Sequence, residues 1–277
     1  MTDKRSKDQN RSKDQPGRKR SPTKPRGPAK ADGKAEGKGK GKGRGARVTA
    51  RPLATRVKTA RGRKNSSTRW LKRQLNDPYV VEAQRRGYRS RAAFKLLELD
   101  DRFGILKYGA RVVDLGAAPG GWTQVAVERV NADGGRTGAR QGRIVGIDLL
   151  EIEPIAWAEL IQGDFLNPAA YHELLTLLDG PADVVLSDMA ASATGHTATD
   201  HLRIIGLLEA ALDFAASVLT PGGAFLGKVL QGGTENDILN ALKRDFRSVR
   251  HAKPPASRDG SAESYVIAQG FRGSQKS

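Results

Sequence analysis

The stretch Val112-Val113-Asp114-Leu115-Gly116-Ala117-Ala118-Pro119-Gly120-Gly121-Trp122 constrains the fold more than any other. An apolar run ends in an acid, opens into a loop of small residues and closes on two glycines before a helical pattern begins. That order predicts a strand, a tight turn and a helix N-terminus. Glycine lets a backbone approach a ligand where a Cβ would stand in the way. A helix start presents free N–H groups and the positive end of its dipole, and Asp114 could accept hydrogen bonds from a cationic or hydroxyl-bearing ligand. The spacing is G-x-x-x-G-G, not the G-x-G-x-x-G of dinucleotide sites. Taken alone, such a turn serves tight packing of strand and helix as readily as ligand binding.

The segments that follow narrow the choice. Hydrophobic periodicity predicts strands at Arg111–Leu115, Arg143–Ile147, Glu159–Ile161, Ala182–Leu186 and Ala224–Leu230, with two more near Ser248–His251 and Tyr265–Ala268. Helices are predicted at Arg91–Phe103 (capped by Ser90), Gly120–Val130, Pro168–Leu178, Asp200–Leu219 and Glu235–Phe246. Asn131–Gln141 reads as an exposed Gly/Arg insertion. Strands alternating with helices predict an α/β fold, a mostly parallel sheet with helices on both faces. Ligands bind such sheets at the carboxyl ends of the strands. Those ends carry Asp114, Asp148, Asp164, Asp188 and Lys228. Any one of them could be a cap or turn residue; five at corresponding positions point to a site.

Composition excludes several classes. With no cysteine, disulfides and thiolate metal sites are ruled out. His172, His196, His201 and His251 lack ligand spacing, so no metal is expected. No apolar run has the length of a membrane span and no secretory leader is visible, so the expectation is a cytoplasmic protein without membrane contact. A monomer is the simplest reading.

The net charge of +18 is unevenly placed: residues 1–64 carry 23 Lys or Arg against 5 Asp or Glu, and the rest of the chain is neutral. This Lys/Arg/Gly/Ser/Pro-rich segment cannot bury enough apolar surface to fold and reads as a disordered basic tail, with residues 65–277 forming one domain. Such a tail suits non-specific contact with a nucleic acid; a solubilising role is the plainer alternative. Within the domain, residues 112–242 carry 6 basic against 17 acidic groups, between basic flanks. That pattern fits a polyanion held by the flanks and a cationic or polar cofactor held by the middle.

Lys228 is the sharpest single residue. It interrupts Ala224-Phe225-Leu226-Gly227-Lys228-Val229-Leu230, otherwise a buried strand. Burial of a lysine favours the neutral amine, which suits a general base acting on a hydroxyl. Snorkelling from the strand end to water is the plainer reading. Asp188 is placed to orient that amine. A second lysine and a second acid would balance the pair, but spacing does not pick them out: Lys95 is one of several exposed candidates, and Glu263 reads as a solvated turn.

Asp114–Trp122, Gly163-Asp164-Phe165, Ser187-Asp188-Met189-Ala190, Lys228-Val229-Leu230-Gln231-Gly232 and the run from Ser257-Arg258 to Tyr265 together resemble the FtsJ-type (RrmJ-like) 2′-O-ribose RNA methyltransferases. The resemblance covers about Ser66 to Phe271, and the chain looks most like the bacterial members acting on a uridine ribose of 23S ribosomal RNA. It implies a Rossmann-like fold binding S-adenosyl-L-methionine, with seven strands, the last antiparallel. It places cofactor contacts on Gly116, Gly120, Trp122, Asp114, Asp148 (ribose hydroxyls), Asp164 (adenine amino group) and Asp188. It implies a catalytic tetrad of Lys95, Asp188, Lys228 and Glu263, and ribosomal RNA or the large ribosomal subunit as partner. Three features depart from the pattern: Ala191-Ser192 replace Pro-Asn, Ala262 and Ser264 flank Glu263 in place of Arg and Val, and Asn131–Gln141 is longer. Action on transfer RNA or on the messenger RNA cap, or a non-catalytic role in ribosome assembly, are the alternatives. The segments Arg69–Arg91 and Lys243–Arg258 are predicted to face RNA through phosphate contacts.

Overall fold

The computed structural model describes residues 72, 74–191, 195–230 and 236–273. The basic tail, Ser192, Gln231 and Gly232 lie outside the described residues.

The chain runs α1 (Pro78–Arg86), α2 (Ala93–Phe103), β1 (Arg111–Leu115), α3 (Gly121–Val130), β2 (Arg143–Asp148), β3 (Ala158–Gln162), α4 (Pro168–Leu178), β4 (Ala182–Ser187), α5 (Thr197–Val218), β5 (Leu219–Leu230), α6 (Asn236–Asp245), β6 (Phe246–Ala252) and β7 (Glu263–Phe271). The strands form one seven-stranded sheet in the order β3-β2-β1-β4-β5-β7-β6. All pairs from β3 to β5 are parallel; β7 runs antiparallel to both β5 and β6. The predicted α/β class, strand count and antiparallel last strand therefore hold.

Two cores follow from the period of two along each strand. Val112, Ile144, Val184, Leu186, Leu226, Tyr265 and Ile267 face α2 and α3. Val113, Leu115, Val145, Ile147, Val185, Phe225, Val266 and Ala268 face α4, α5 and α6. Even-numbered residues of β1, β2, β4 and β5, and odd-numbered residues of β7, thus share the α2/α3 side. That parity decides which strand-end side chains meet.

Helix α1 was not predicted. Its signals are local: Asp77 as N-cap before Pro78, and Gly87 in the left-handed region at the C-terminus. Asp77 accepts from Tyr79 N–H at 3.0 Å and pairs with Arg91 at 2.8 Å and Arg258 at 3.4 Å. Asp77→Ala removes the cap and leaves two arginines without their carboxylate. It is expected to cost about 2 kcal/mol and lower Tm by about 4–8 °C, read by thermal unfolding.

Ser90 does not cap α2. Residues before Ala93 form a turn whose Ser90 carbonyl accepts from Ala93 N–H, and the buried Ser90 hydroxyl has no partner. The 131–141 loop is ordered by the buried Asn131 side chain, which accepts from Arg136 N–H at 2.8 Å and donates to the Arg140 carbonyl at 3.3 Å.

Candidate active site

The sheet order reverses direction between β1 and β4, the place where open α/β sheets bind ligands. A cleft lies there, lined by Gly116, Asp148, Leu149, Asp164, Phe165, Met189 and Leu207. Gly116 sits at φ +81°, and a Cβ on it would come within 2.9 Å of Met189. Gly120, at φ +111°, starts α3 with no side-chain cap, leaving first-turn N–H groups open to a ligand.

The two acids of the cleft are already oriented. Asp148 Oδ2 accepts from Ala118 N–H at 3.0 Å and Oδ1 from Leu150 N–H at 2.8 Å, which ties the end of β2 to the turn after β1. Asp164 Oδ1 accepts from Leu166 N–H at 2.9 Å, and the residue is exposed at the mouth. Leu149, Leu150 and Leu166 are also exposed around it.

Four expected cofactor residues, Gly120, Asp188, Trp122 and Asp114, do not line the cleft, and the last two are turned into the core. Trp122 is buried among the α2/α3 core, its indole N–H donates to the Ala92 carbonyl at 2.9 Å, and its ring packs on Tyr265; only its backbone reaches the turn. Asp114 is fully buried under the turn because its parity points it at α3. Oδ2 accepts from the Thr123 hydroxyl at 2.7 Å, while Oδ1 has no partner. Burial, with the charges of Asp188 and Asp148 added, pushes its carboxyl up to about 7. The fit of the cleft to a ligand rests instead on Gly116, where a Cβ would meet Met189, and on Asp148 and Asp164.

Beside the cleft the other polar strand-end residues converge. Asp188 follows β4, and its N–H donates to the Leu115 carbonyl, pinning it to β1. Lys228 of β5 donates to Asp188 Oδ1 and to the Asp188 carbonyl, both at 2.7 Å. Lys95 of α2 pairs tightly with Glu263 and stands 4.0 Å from Asp188. Lys95 is therefore not an exposed helix residue: it is 8% accessible, because α2 lays it against β7. Nor is Glu263 a solvated turn residue; it opens β7 in register with Leu230. Burial pushes its carboxyl up, but the charge and hydrogen bond of Lys95 and the hydrogen bond from Tyr265 outweigh that and hold it below the usual carboxylate range.

Tyr265 was missed as a site residue. Its hydroxyl donates to Asp188 Oδ1 at 2.8 Å, lies in tight hydrogen-bond contact with Glu263, and accepts from Lys95 at 3.2 Å. Burial first, then the charges of Asp188 and Glu263, raise it well above the usual phenol range, so it stays protonated. No local sequence signal marks it; the strand pairing that sets Tyr265 opposite Lys228 brings it into the site.

Part of the basic segment before α2, Arg69 included, lies outside the described residues; the described arginines divide between surface and scaffold. Arg85 and Arg86 are exposed on α1, paired with Glu82. Arg89 donates to the carbonyls of Pro119, Glu153 and Pro154, so it fastens the turn after β1 to the β2–β3 crossover. Arg91 and Arg258 hold Asp77, and Lys253 donates to the carbonyls of Asp259 and Ser261. A larger cleft at the opposite end of the sheet, beside Lys107, Tyr108, Arg140 and Thr220, contains none of the strand-end acids. Among the described residues no group of His, Asp or Glu is placed to hold a metal ion, and no helix is long and apolar enough to cross a membrane.

Comparison with known proteins agrees with this geometry. Residues 88–271 match the FtsJ-like methyltransferase family. A protein of Paramagnetospirillum magneticum named Ribosomal RNA large subunit methyltransferase E is 65% identical over 82% of this chain and 92% of its own length. One of the same name from Parvibaculum lavamentivorans is 62% identical over 82% of this chain and 91% of its own. A solved Plasmodium falciparum structure, described as a ribosomal RNA methyltransferase, superposes with a TM-score of 0.58 at 31% identity, covering 68% of this chain and all of that one. The chain belongs to the FtsJ-like methyltransferase family.

Proposed function

We propose that this protein transfers a methyl group from S-adenosyl-L-methionine to the 2′-hydroxyl of a uridine ribose in 23S ribosomal RNA, within the large ribosomal subunit. The relatives' names support the substrate class. The observation that carries the chemistry is the cluster of Lys228, Asp188, Lys95 and Glu263 beside the glycine-lined cleft.

Bound in the cleft, the cofactor supplies a methyl group on a positively charged sulfur. Gly116, the α3 N-terminus, Asp148 and Asp164 would hold it. Lys228 accepts the hydroxyl proton. Its Nζ meets two acceptors, both on Asp188. A neutral amine has two hydrogens and one lone pair, so with both hydrogens on Asp188 the lone pair is left for the incoming hydroxyl. Asp188 therefore orients the base. Lys95 balances the two carboxylates. The leaving sulfur departs neutral and needs no acid, so positioning carries much of the rate.

The test is incubation with methyl-labelled cofactor and large ribosomal particles, with the labelled nucleoside identified after digestion. Label on a uridine 2′-oxygen is expected; label on a base, or on transfer RNA alone, would overturn the reading. The exposed Arg85 and Arg86, and the basic tail, supply the RNA contacts. Glu at both arginine positions is expected to raise KM for the RNA about 10-fold at moderate salt, with cofactor affinity unchanged by calorimetry.

A further inference from the structure

Two carboxylates meet in the cluster at a single phenol. Asp188 and Glu263 both contact the Tyr265 hydroxyl, so their oxygens lie close together in a nearly dry environment. Both lysines in their charged forms would neutralise them. Once Lys228 is neutral and ready to take a proton, Lys95 alone faces two negative groups. Lys95 pairs tightly with Glu263 and lies at the 4.0 Å limit from Asp188. Asp188 then depends on the Tyr265 O–H, and the same Oδ1 accepts from Lys228. A hydroxyl bearing one proton can serve one carboxylate at a time while accepting from Lys95.

We infer that Tyr265 is a positioning residue of the methyl transfer: its hydroxyl holds Asp188 and Glu263 together and so keeps Asp188 aimed at Lys228. Among the described residues, the polar groups meeting that hydroxyl belong to the cluster: Lys95 from α2, Asp188 just after β4, and Glu263 from its own strand, with Lys228 one step away on β5. The ring is held independently, against Trp122 with centroids 5.6 Å apart. Removing the oxygen therefore leaves the packing intact while Asp188 and Glu263 lose their common donor. The inference rests on Lys228 being the base.

The experiment is a cycle of Tyr265→Phe, Glu263→Gln and the double variant, assayed with labelled cofactor and ribosomal particles. Tyr265→Phe is expected to lower kcat about 30-fold, with KM for both substrates within two-fold of the parent and Tm within a few degrees. Neutralising Glu263 removes the repulsion that the lost hydroxyl had relieved. The double variant should then be no slower than the slower single variant, a non-additivity that generally weakened packing would not produce. A kcat within two-fold in Tyr265→Phe, a matching rise in KM, or losses that multiply in the double variant would each overturn the inference. A Lys228→Met variant run in parallel separates the two readings. If that variant stays active, the base assignment fails; if it is inactive while Tyr265→Phe is unaffected, only the role of Tyr265 fails.

Discussion

Lys228→Met is expected to lower kcat for methyl transfer about 10³-fold, the span that one well-placed general base supplies. Methionine keeps the length and apolar stem of lysine but lacks the amine, so β5 should retain its register with β4 and β7. Cofactor affinity should stay within two-fold, because Lys228 is not among the residues lining the cleft. A fall in kcat with both KM values unchanged would mark an interaction made mainly in the transition state. Activity within a few-fold of the parent would remove Lys228 from the chemistry. Asp188, left without its lysine, would still be held by Tyr265 and by the tie of its N–H to β1.

The second large effect concerns Asp114 and stability. Its carboxyl, ordinarily near 3.8, titrates at about 7 in the folded chain. Between those values the native state keeps a proton that the unfolded chain has released. Stability from this group is therefore full below about pH 4 and falls as pH rises, levelling off above about pH 7. The span corresponds to about 4 kcal/mol as an upper figure. Asp114→Asn imitates the protonated acid, can still accept from Thr123, and does not titrate. The two proteins should unfold alike near pH 4, and the variant should be the more stable by a few kcal/mol at pH 8. Urea unfolding at both pH values reads the difference directly. Equal stability at pH 8 would show that Asp114 ionises without penalty, for instance through water reaching Oδ1.

Much of this architecture is local and therefore legible in the sequence. Strands β1, β2, β4 and β5 announce themselves by apolar runs that meet Asp114, Asp148, Ser187 and Lys228, and the glycine turn marks the start of α3. What escaped was non-local. Nothing near Tyr265 says that β7 will lie between β5 and β6 and bring it opposite Lys228; that pairing is made across nearly forty residues. The same insertion draws Glu263 to Lys95 and buries that lysine against β7. Trp122 and Asp114 follow the reverse pattern. Their positions in the motif suggest contact with a ligand, but helix facing and strand parity turn both side chains into the α2/α3 core. Ser90 shows a third cause: a good capping residue is ineffective when the turn after it delays the helix.

The place of β7 also sets an order of events during synthesis. Lys95 and Tyr265 are 170 positions apart, and β6 is made before the strand that joins it to the sheet. A chain still on its ribosome holds every residue lining the cleft, the last of them Leu207, well before Glu263 and Tyr265 exist. Until the last strand slides between its neighbours, the unfinished protein has the lining of the proposed donor site but lacks two members of the cluster proposed to choose the acceptor oxygen.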